Sequence, residues 1–128
     1  NLFNREPEEE GILRQAKENG TGFIAFSPLA QGLLTNRYLN GIPEDSRMAR
    51  GGFLKKEQLT EDVLSKIKAL NKMAEERGQT LAEKALAWVL KDDLVTSVII
   101  GASSVAQLED NLKAIRNTSF TKEELRRL

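Results

Sequence analysis

The sequence has 128 residues, 19 Lys and Arg against 19 Asp and Glu, and no His or Cys. With 40% hydrophobic and 30% charged residues it reads as one globular domain or a piece of a larger one, and its formal net charge of +0 removes the electrostatic case for nucleic acid or an anionic membrane. Without Cys there is no disulfide framework, thiol nucleophile or zinc–thiolate site, and without His there is no imidazole base and no Ser-His or Cys-His machinery.

In chain order, Asn1-Leu2-Phe3-Asn4-Arg5 reads as the tail of a strand running into a loop. With no initiator Met and no signal peptide, the chain is expected to begin inside a larger fold and to be cytoplasmic by default. Glu6-Pro7-Glu8-Glu9-Glu10 is a helix start: Pro7 needs no N–H in a first turn, and the acids favour the positive end of the dipole. Ile12, Leu13 and Ala16 give that helix one apolar face, and Asn19-Gly20 ends it. Gly22-Phe23-Ile24-Ala25-Phe26 has no polar alternation, which predicts a strand buried on both faces, as in a parallel sheet. Residues 27–59 form a long loop with Pro28, Gly32, Gly41, Pro43, Gly51 and Gly52, and loops of that length are commonly functional or mobile.

Leu59-Thr60-Glu61-Asp62 opens a long helix with Val63, Ile67, Leu70 and Ala74 on one stripe, ending at Gly78. Thr80-Leu81-Ala82-Glu83 is a capping box for a second helix reaching Lys91, with Leu81, Ala85, Trp88 and Val89 toward the core. Residues 96–100 read as another buried, β-branched strand. The spacing of Val105, Leu108, Leu112 and Ile115 predicts a helix over 104–116 with those four in the core, and Thr121-Lys122-Glu123-Glu124 caps a terminal turn. No repeat at fixed period and no low-complexity segment is present. Leu94 to Ile100, the longest nearly apolar run, is too short to span a bilayer. Strands alternating with helices argue for an α/β chain built of parallel βαβ units. Two strands and a stub cannot close a barrel, so residues 1–128 are expected to form one partial domain.

Two segments follow directly on the buried strands, where ligand sites of parallel α/β folds lie. Phe26-Ser27-Pro28-Leu29-Ala30-Gln31-Gly32-Leu33-Leu34-Thr35, followed by Arg37 and Arg47, combines small residues, a hydroxyl and two guanidinium groups suited to a phosphate. A plain turn with solvated arginines accounts for these residues equally well. Ile99-Ile100-Gly101-Ala102-Ser103-Ser104 precedes a helix whose first N–H groups suit an anion, with Gln107, Asp110 and Asn111 on its early turns. By spacing alone, Ser104 and Gln107 form a capping box that needs no ligand.

Residues 27–35 and 100–104, together with Gln107, Asp110 and Asn111, resemble the signatures after strands seven and eight of the aldo-keto reductase superfamily. Asn36-Arg37-Tyr38-Leu39-Asn40-Gly41-Ile42-Pro43-Glu44-Asp45-Ser46-Arg47-Met48 is similar, within that superfamily, to bacterial glyceraldehyde 3-phosphate reductases and the related potassium-channel β-subunits. The resemblance implies the C-terminal half of a (β/α)8 TIM barrel, from the end of strand six through helix eight, with residues 27–59 as a cofactor loop.

It further implies an NADPH site without a Gly-x-Gly-x-x-Gly fingerprint. Phe26 would stand near the nicotinamide, and Ser27, Pro28, Leu29, Ala30 and Gln31 would lie across the pyrophosphate. Arg37 stands where relatives often carry Lys, and Arg47 matches an arginine that closes on the cofactor. Gly101 and Ser103 match contacts to the adenosine 2′-phosphate, Gln107 lies beside the adenine, and Asp110 and Asn111 read its edge. Ile100 replaces a frequent Pro, and Asp110 a more usual Glu. The family's catalytic Asp, Tyr, Lys and His would all lie in the other half of the barrel, so no catalytic residue is assigned here and the chain alone is expected to be inactive. Its expected partners are a small carbonyl substrate and the N-terminal half of the same barrel, with no metal, nucleic acid or membrane. Open strand edges predict oligomers of the isolated chain.

Overall fold

A short parallel pairing organises the chain. Strands β1 (Ile24–Ala25) and β2 (Ser97–Val98) lie side by side, with Ile24 opposite Ser97 and Ala25 opposite Val98. The computed structural model describes residues 1–46, 48–51 and 54–128. The pairing continues past both strand ends: the Thr96 N–H donates to the Phe23 carbonyl at 2.9 Å, and the Ile99 N–H to the Ala25 carbonyl at 2.8 Å. The Phe23 N–H also donates to Thr96 Oγ1 at 3.0 Å. That hydroxyl explains the preceding glycine, because a Cβ on Gly22 would stand only 3.2 Å from it.

The expected burial on both faces is not observed. Phe23, Ala25 and Val98 pack against the core, whereas Ile24 is 61% exposed, Phe26 78% and Ile99 60%. Apolar residues point to both sides of the pair, but among the described residues only one side is covered by a packed layer.

The predicted first helix is two pieces, α1 (Glu6–Glu9) and α2 (Ile12–Glu18), because Gly11 between them takes a left-handed φ of 78°. The later helices start where their caps predict. Thr60 Oγ1 accepts from the Val63 N–H at the head of α3 (Glu61–Glu76), and Thr80 Oγ1 from the Glu83 N–H at the head of α4 (Leu81–Val89). Glu83 returns the contact to the Thr80 N–H, completing the capping box. α3 buries Ile67, Leu70, Met73 and Ala74. α4 is buried at all nine positions, since it packs against α3, α5 (Val105–Leu112) and the 3-10 turn Lys113–Arg116. Lys84 is buried with them, its Nζ donating to the Leu70 carbonyl at 3.4 Å.

Two expectations about packing are corrected. The long connection after β1 is no structureless loop: it carries 3-10 turns at Ala30–Gly32, Asn36–Tyr38 and Lys56–Gln58, and sinks Leu33, Leu34, Tyr38, Met48 and Leu54 into the core. In α5 and the turn after it, the four residues at core spacing are outside, with Val105 73% exposed, Leu108 41%, Leu112 53% and Ile115 68%. The face turned toward α4 holds Asn111 and Ala114 instead. Beyond it, α6 (Lys122–Arg126) opens on the predicted Thr121 capping box. Arg77 fastens this end of the chain, pairing with Glu124 at 2.6 Å and lying 3.8 Å over the Phe120 ring. Among the described residues, no helix is long and apolar enough to cross a membrane.

Candidate functional site

The two segments singled out in the sequence meet in space. A cavity of about 590 Å³ opens at the carboxyl ends of β1 and β2, between the segment that starts at Phe26 and the segment 99–103. Of the expected site residues, Phe26, Ser27, Pro28, Leu29, Gln31, Arg37, Gly101, Ser103 and Gln107 line it. Thr35, from the end of the first segment, joins them, as do Tyr38 and Asp45 from the stretch 36–48 and Arg50, which no sequence signal singled out beyond its place in the long loop.

The wall after β1 is conformationally strained. Ser27, Ala30 and Gln31 have φ of 52°, 47° and 59°, a left-handed conformation uncommon for residues with a side chain. Turns in that region expose successive backbone N–H groups on a concave surface, the arrangement that receives anions. The strain persists because the turn is pinned on both sides. Leu33 and Leu34 are buried in the core, and the Leu34 N–H donates to the Leu29 carbonyl at 3.1 Å. Asn1 holds the start of the segment, its Nδ2 donating to the Ser27 carbonyl at 3.0 Å.

The wall after β2 is a donor cradle. The Ser103 N–H and hydroxyl converge on one oxygen, Gln107 Oε1, at 2.7 and 3.0 Å. Ser104 caps α5 by accepting the Gln107 N–H at 3.1 Å. The predicted capping box is therefore only half formed, because the Gln107 side chain turns to Ser103 rather than back to Ser104. Two donors aimed at one amide oxygen are equally suited to a phosphate oxygen. Nothing among the described residues requires Gly101, for a Cβ there would meet none of their atoms within 4 Å. A glycine in open space at a cavity wall leaves room for a ligand to approach the backbone closely.

Charge enters from the long loop. Arg37 reaches Asp45 Oδ2 at 2.6 Å and so arrives already paired. Arg50 is held by its backbone, its N–H donating to the carbonyl of the fully buried Ser46 at 3.1 Å. These groups fit an elongated ligand carrying more than one phosphate, and the apolar Phe26 lines the same cavity.

The structure does not bring every expected residue to the cavity. Ala30 contributes its backbone turn but does not line the wall. Asp110 bonds Lys113 Nζ at 3.1 Å and accepts from Thr80 Oγ1 at 3.5 Å. Asn111 is buried under α5, and its Nδ2 finds no hydrogen-bond partner among the described residues. A buried amide donor without a partner is costly, so Asn111 carries an unmet demand for an acceptor. Arg47 lies outside the described residues. Beside Asp110, the Glu83 carboxyl is raised above its ordinary range by burial, against the Thr80 N–H that lowers it.

Comparison with known proteins bears out the family resemblance carried by the two segments. The aldo/keto reductase family profile matches residues 1–128. An L-glyceraldehyde 3-phosphate reductase of Escherichia coli is 54% identical over 129 residues, which cover 98% of this chain and 37% of that protein. A probable voltage-gated potassium channel subunit beta of Arabidopsis thaliana is 41% identical over 118 residues, covering 90% of this chain and 36% of its own length. Among solved structures, a thermostable aldo-keto reductase in complex with the inhibitor epalrestat superposes with a TM-score of 0.64 at 26% identity, over 96% of this chain and 34% of that one. The holo form of the aldo-keto reductase AKR11C1 from Bacillus halodurans gives 0.62 at 29% identity, over 97% and 37%. The chain thus spans a little over a third of the length of the relatives it matches, less than the half expected from the sequence. Matched along its whole length by the family profile, this chain belongs to the aldo/keto reductase family.

Proposed function

We propose that the chain is the cofactor-binding C-terminal part of an NADPH-dependent aldo-keto reductase, running from the end of strand six of a (β/α)8 barrel through helix eight. The complete barrel would reduce an aldehyde or ketone, such as glyceraldehyde 3-phosphate or a methylglyoxal-like compound. One observation carries the reading: a single cavity joins the strained turn after β1 to the donor cradle after β2, the two places where an elongated dinucleotide needs phosphate donors. The 54% identity to a glyceraldehyde 3-phosphate reductase supports the choice of substrate class.

Bound NADPH supplies the hydride that reduces the carbonyl carbon. This chain's residues bind and orient. Ser27 and the turn through Gln31 present donors to the pyrophosphate, and Arg37 neutralises charge there once it leaves Asp45. Gly101 and Ser103 take the 2′-phosphate, which requires Gln107 to release the Ser103 donors and turn toward the adenine. Asp110 and Asn111 come to the adenine edge only if the start of α5 adjusts, and the unpaired Asn111 amide favours that step. Phe26, exposed just beyond β1, offers an apolar face to the nicotinamide and keeps water from it.

The proton for the carbonyl oxygen comes from outside this chain. Tyr38, the only tyrosine, is 1% exposed with its ring in the core cluster. The exposed Ile24, Phe26 and Ile99 are the surface on which the rest of the barrel would close. Titration of the complete protein with NADPH, followed by nicotinamide fluorescence, tests the reading directly. Saturable binding and turnover of small aldehydes are expected, and absence of binding would overturn it.

The 41% identity to a channel β-subunit keeps a second reading in view, in which the same pocket senses redox state for a partner. Tight NADPH binding with very slow aldehyde turnover would favour it.

A further inference from the structure

We propose that Arg50 is the residue by which this cavity distinguishes a 2′-phosphorylated dinucleotide from an unphosphorylated one; the inference rests on the cofactor reading above. The argument begins with charge. The wall after β2, from Ile99 through Ser103 with Gln107, supplies hydrogen-bond donors but no formal charge. Among the described lining residues the charged groups are Arg37, Asp45 and Arg50. Arg37 and Asp45 are 2.6 Å apart and compensate each other. Arg50 forms no ion pair among the described residues, which leaves it as the uncompensated cation among the described lining residues.

A phosphomonoester carries close to two negative charges at neutral pH, and neutral donors alone satisfy its geometry better than its charge. Its selective recognition therefore calls for a guanidinium, whose planar fork meets two phosphate oxygens at once. Arg50 is built to be held in place for that role. Its N–H is fixed to the Ser46 carbonyl at 3.1 Å, and Ser46 Oγ accepts the Ala49 N–H at 3.2 Å. Ser46 and Met48 are both buried, so the turn that carries Arg50 is anchored in the core while the side chain remains exposed at the cavity. The pyrophosphate is common to both dinucleotides, so a residue serving it affects both alike, and only a contact to the 2′-phosphate changes their ratio.

The test uses the complete protein. Kd for NADPH and for NADH is measured by nicotinamide fluorescence at fixed ionic strength for the unmodified protein and for R50Q, R50K and R37Q. Arg50→Gln is expected to weaken NADPH about tenfold or more while NADH changes less than about twofold, the size of one lost charge-assisted contact. Arg50→Lys restores part of the preference as a point charge, and Arg37→Gln weakens both dinucleotides together. Retained NADH binding shows that Arg50→Gln still folds. Equal loss for both dinucleotides, or no loss for either, overturns the assignment to the 2′-phosphate. If the unmodified protein binds NADH and NADPH equally, the cofactor reading stands and the role of Arg50 falls. If it binds neither, the cofactor reading itself fails and takes this inference with it.

Discussion

Lys84 shows how a single side chain sets a cost within the helical layer. It is fully buried on α4, and among the described residues its ammonium has one acceptor, the Leu70 carbonyl at 3.4 Å. Burial, and secondarily the positive charge of Arg77, push its pKa down to about 8, with Glu124 opposing and Arg127 and Arg5 adding to the shift. The unfolded chain holds that proton up to the ordinary lysine range near 10.5, so between about pH 8 and 10.5 the unfolded state binds more protons than the folded one. Stability therefore rises with pH across that window, and the full penalty is present below pH 8. Lys84→Met keeps the volume and removes the charge. It is expected to stabilise the complete protein by about 2 kcal/mol at pH 7 and to flatten the rise toward pH 10, as read by urea unfolding at both values. The position was open to inspection in the sequence. Lys84 lies three residues after Leu81 and four before Trp88, hence on the apolar stripe, but a lone Lys in such a stripe reads by habit as a surface residue that snorkels. Gly101 makes the complementary case at the cavity. Since an added Cβ meets nothing among the described residues, Gly101→Ala should leave the unfolding free energy within about 0.5 kcal/mol while weakening NADPH severalfold. A loss of stability equal to the loss of binding would show that the glycine serves the fold.

At the scale of elements, caps carried more information than apolar stripes. Thr60, Thr80 and Thr121 each accept the N–H three residues on, and each was legible because a cap is settled by four consecutive residues. Thr80 also donates to Asp110 at 3.5 Å, so it joins the head of α4 to α5. Thr80→Ala is expected to cost about 1 kcal/mol in chemical denaturation, with Thr80→Ser retaining most of it. The stripe of α5 was legible as a stripe and misread as to what it touches. Val105, Leu108, Leu112 and Ile115 do share one face, but spacing reports periodicity and says nothing of what lies opposite. The long loop failed in the reverse direction. Its glycines and prolines announced turns correctly, while Leu33, Leu34, Tyr38, Met48 and Leu54 have no regular period and so gave no sign that the loop is nailed to the core. The site inherits that partial legibility. The turn after β1 and the cradle after β2 stood out by their place behind strands, whereas Arg50 and Asp45 reach the cavity through a tertiary fold of the loop that local sequence does not encode.

On the scale of the molecule, the exposed apolar side chains separate covered elements from uncovered ones. α3 and α4 close around a common core, while Ile24, Phe26 and Ile99 on the sheet and Val105, Leu108, Leu112 and Ile115 on and just after α5 stand exposed. Apolar side chains exposed together on one element, as on the strand pair and again along α5, mark an interface rather than chance exposure. The 128-residue chain by itself is accordingly expected to self-associate and to show no aldehyde reduction with NADPH, by light scattering and by absorbance assay. Leu112→Glu separates the two settings. In the isolated chain it places a charge on a half-exposed position and should lower the associated mass. In the complete protein, where the same face is expected to be covered, it buries an unpaired carboxylate and should cost at least about 2 kcal/mol of stability. If the complete protein tolerates Leu112→Glu while the isolated chain stays associated, the face of α5 is not where the barrel closes, and the open face of β1 and β2 must carry the association alone.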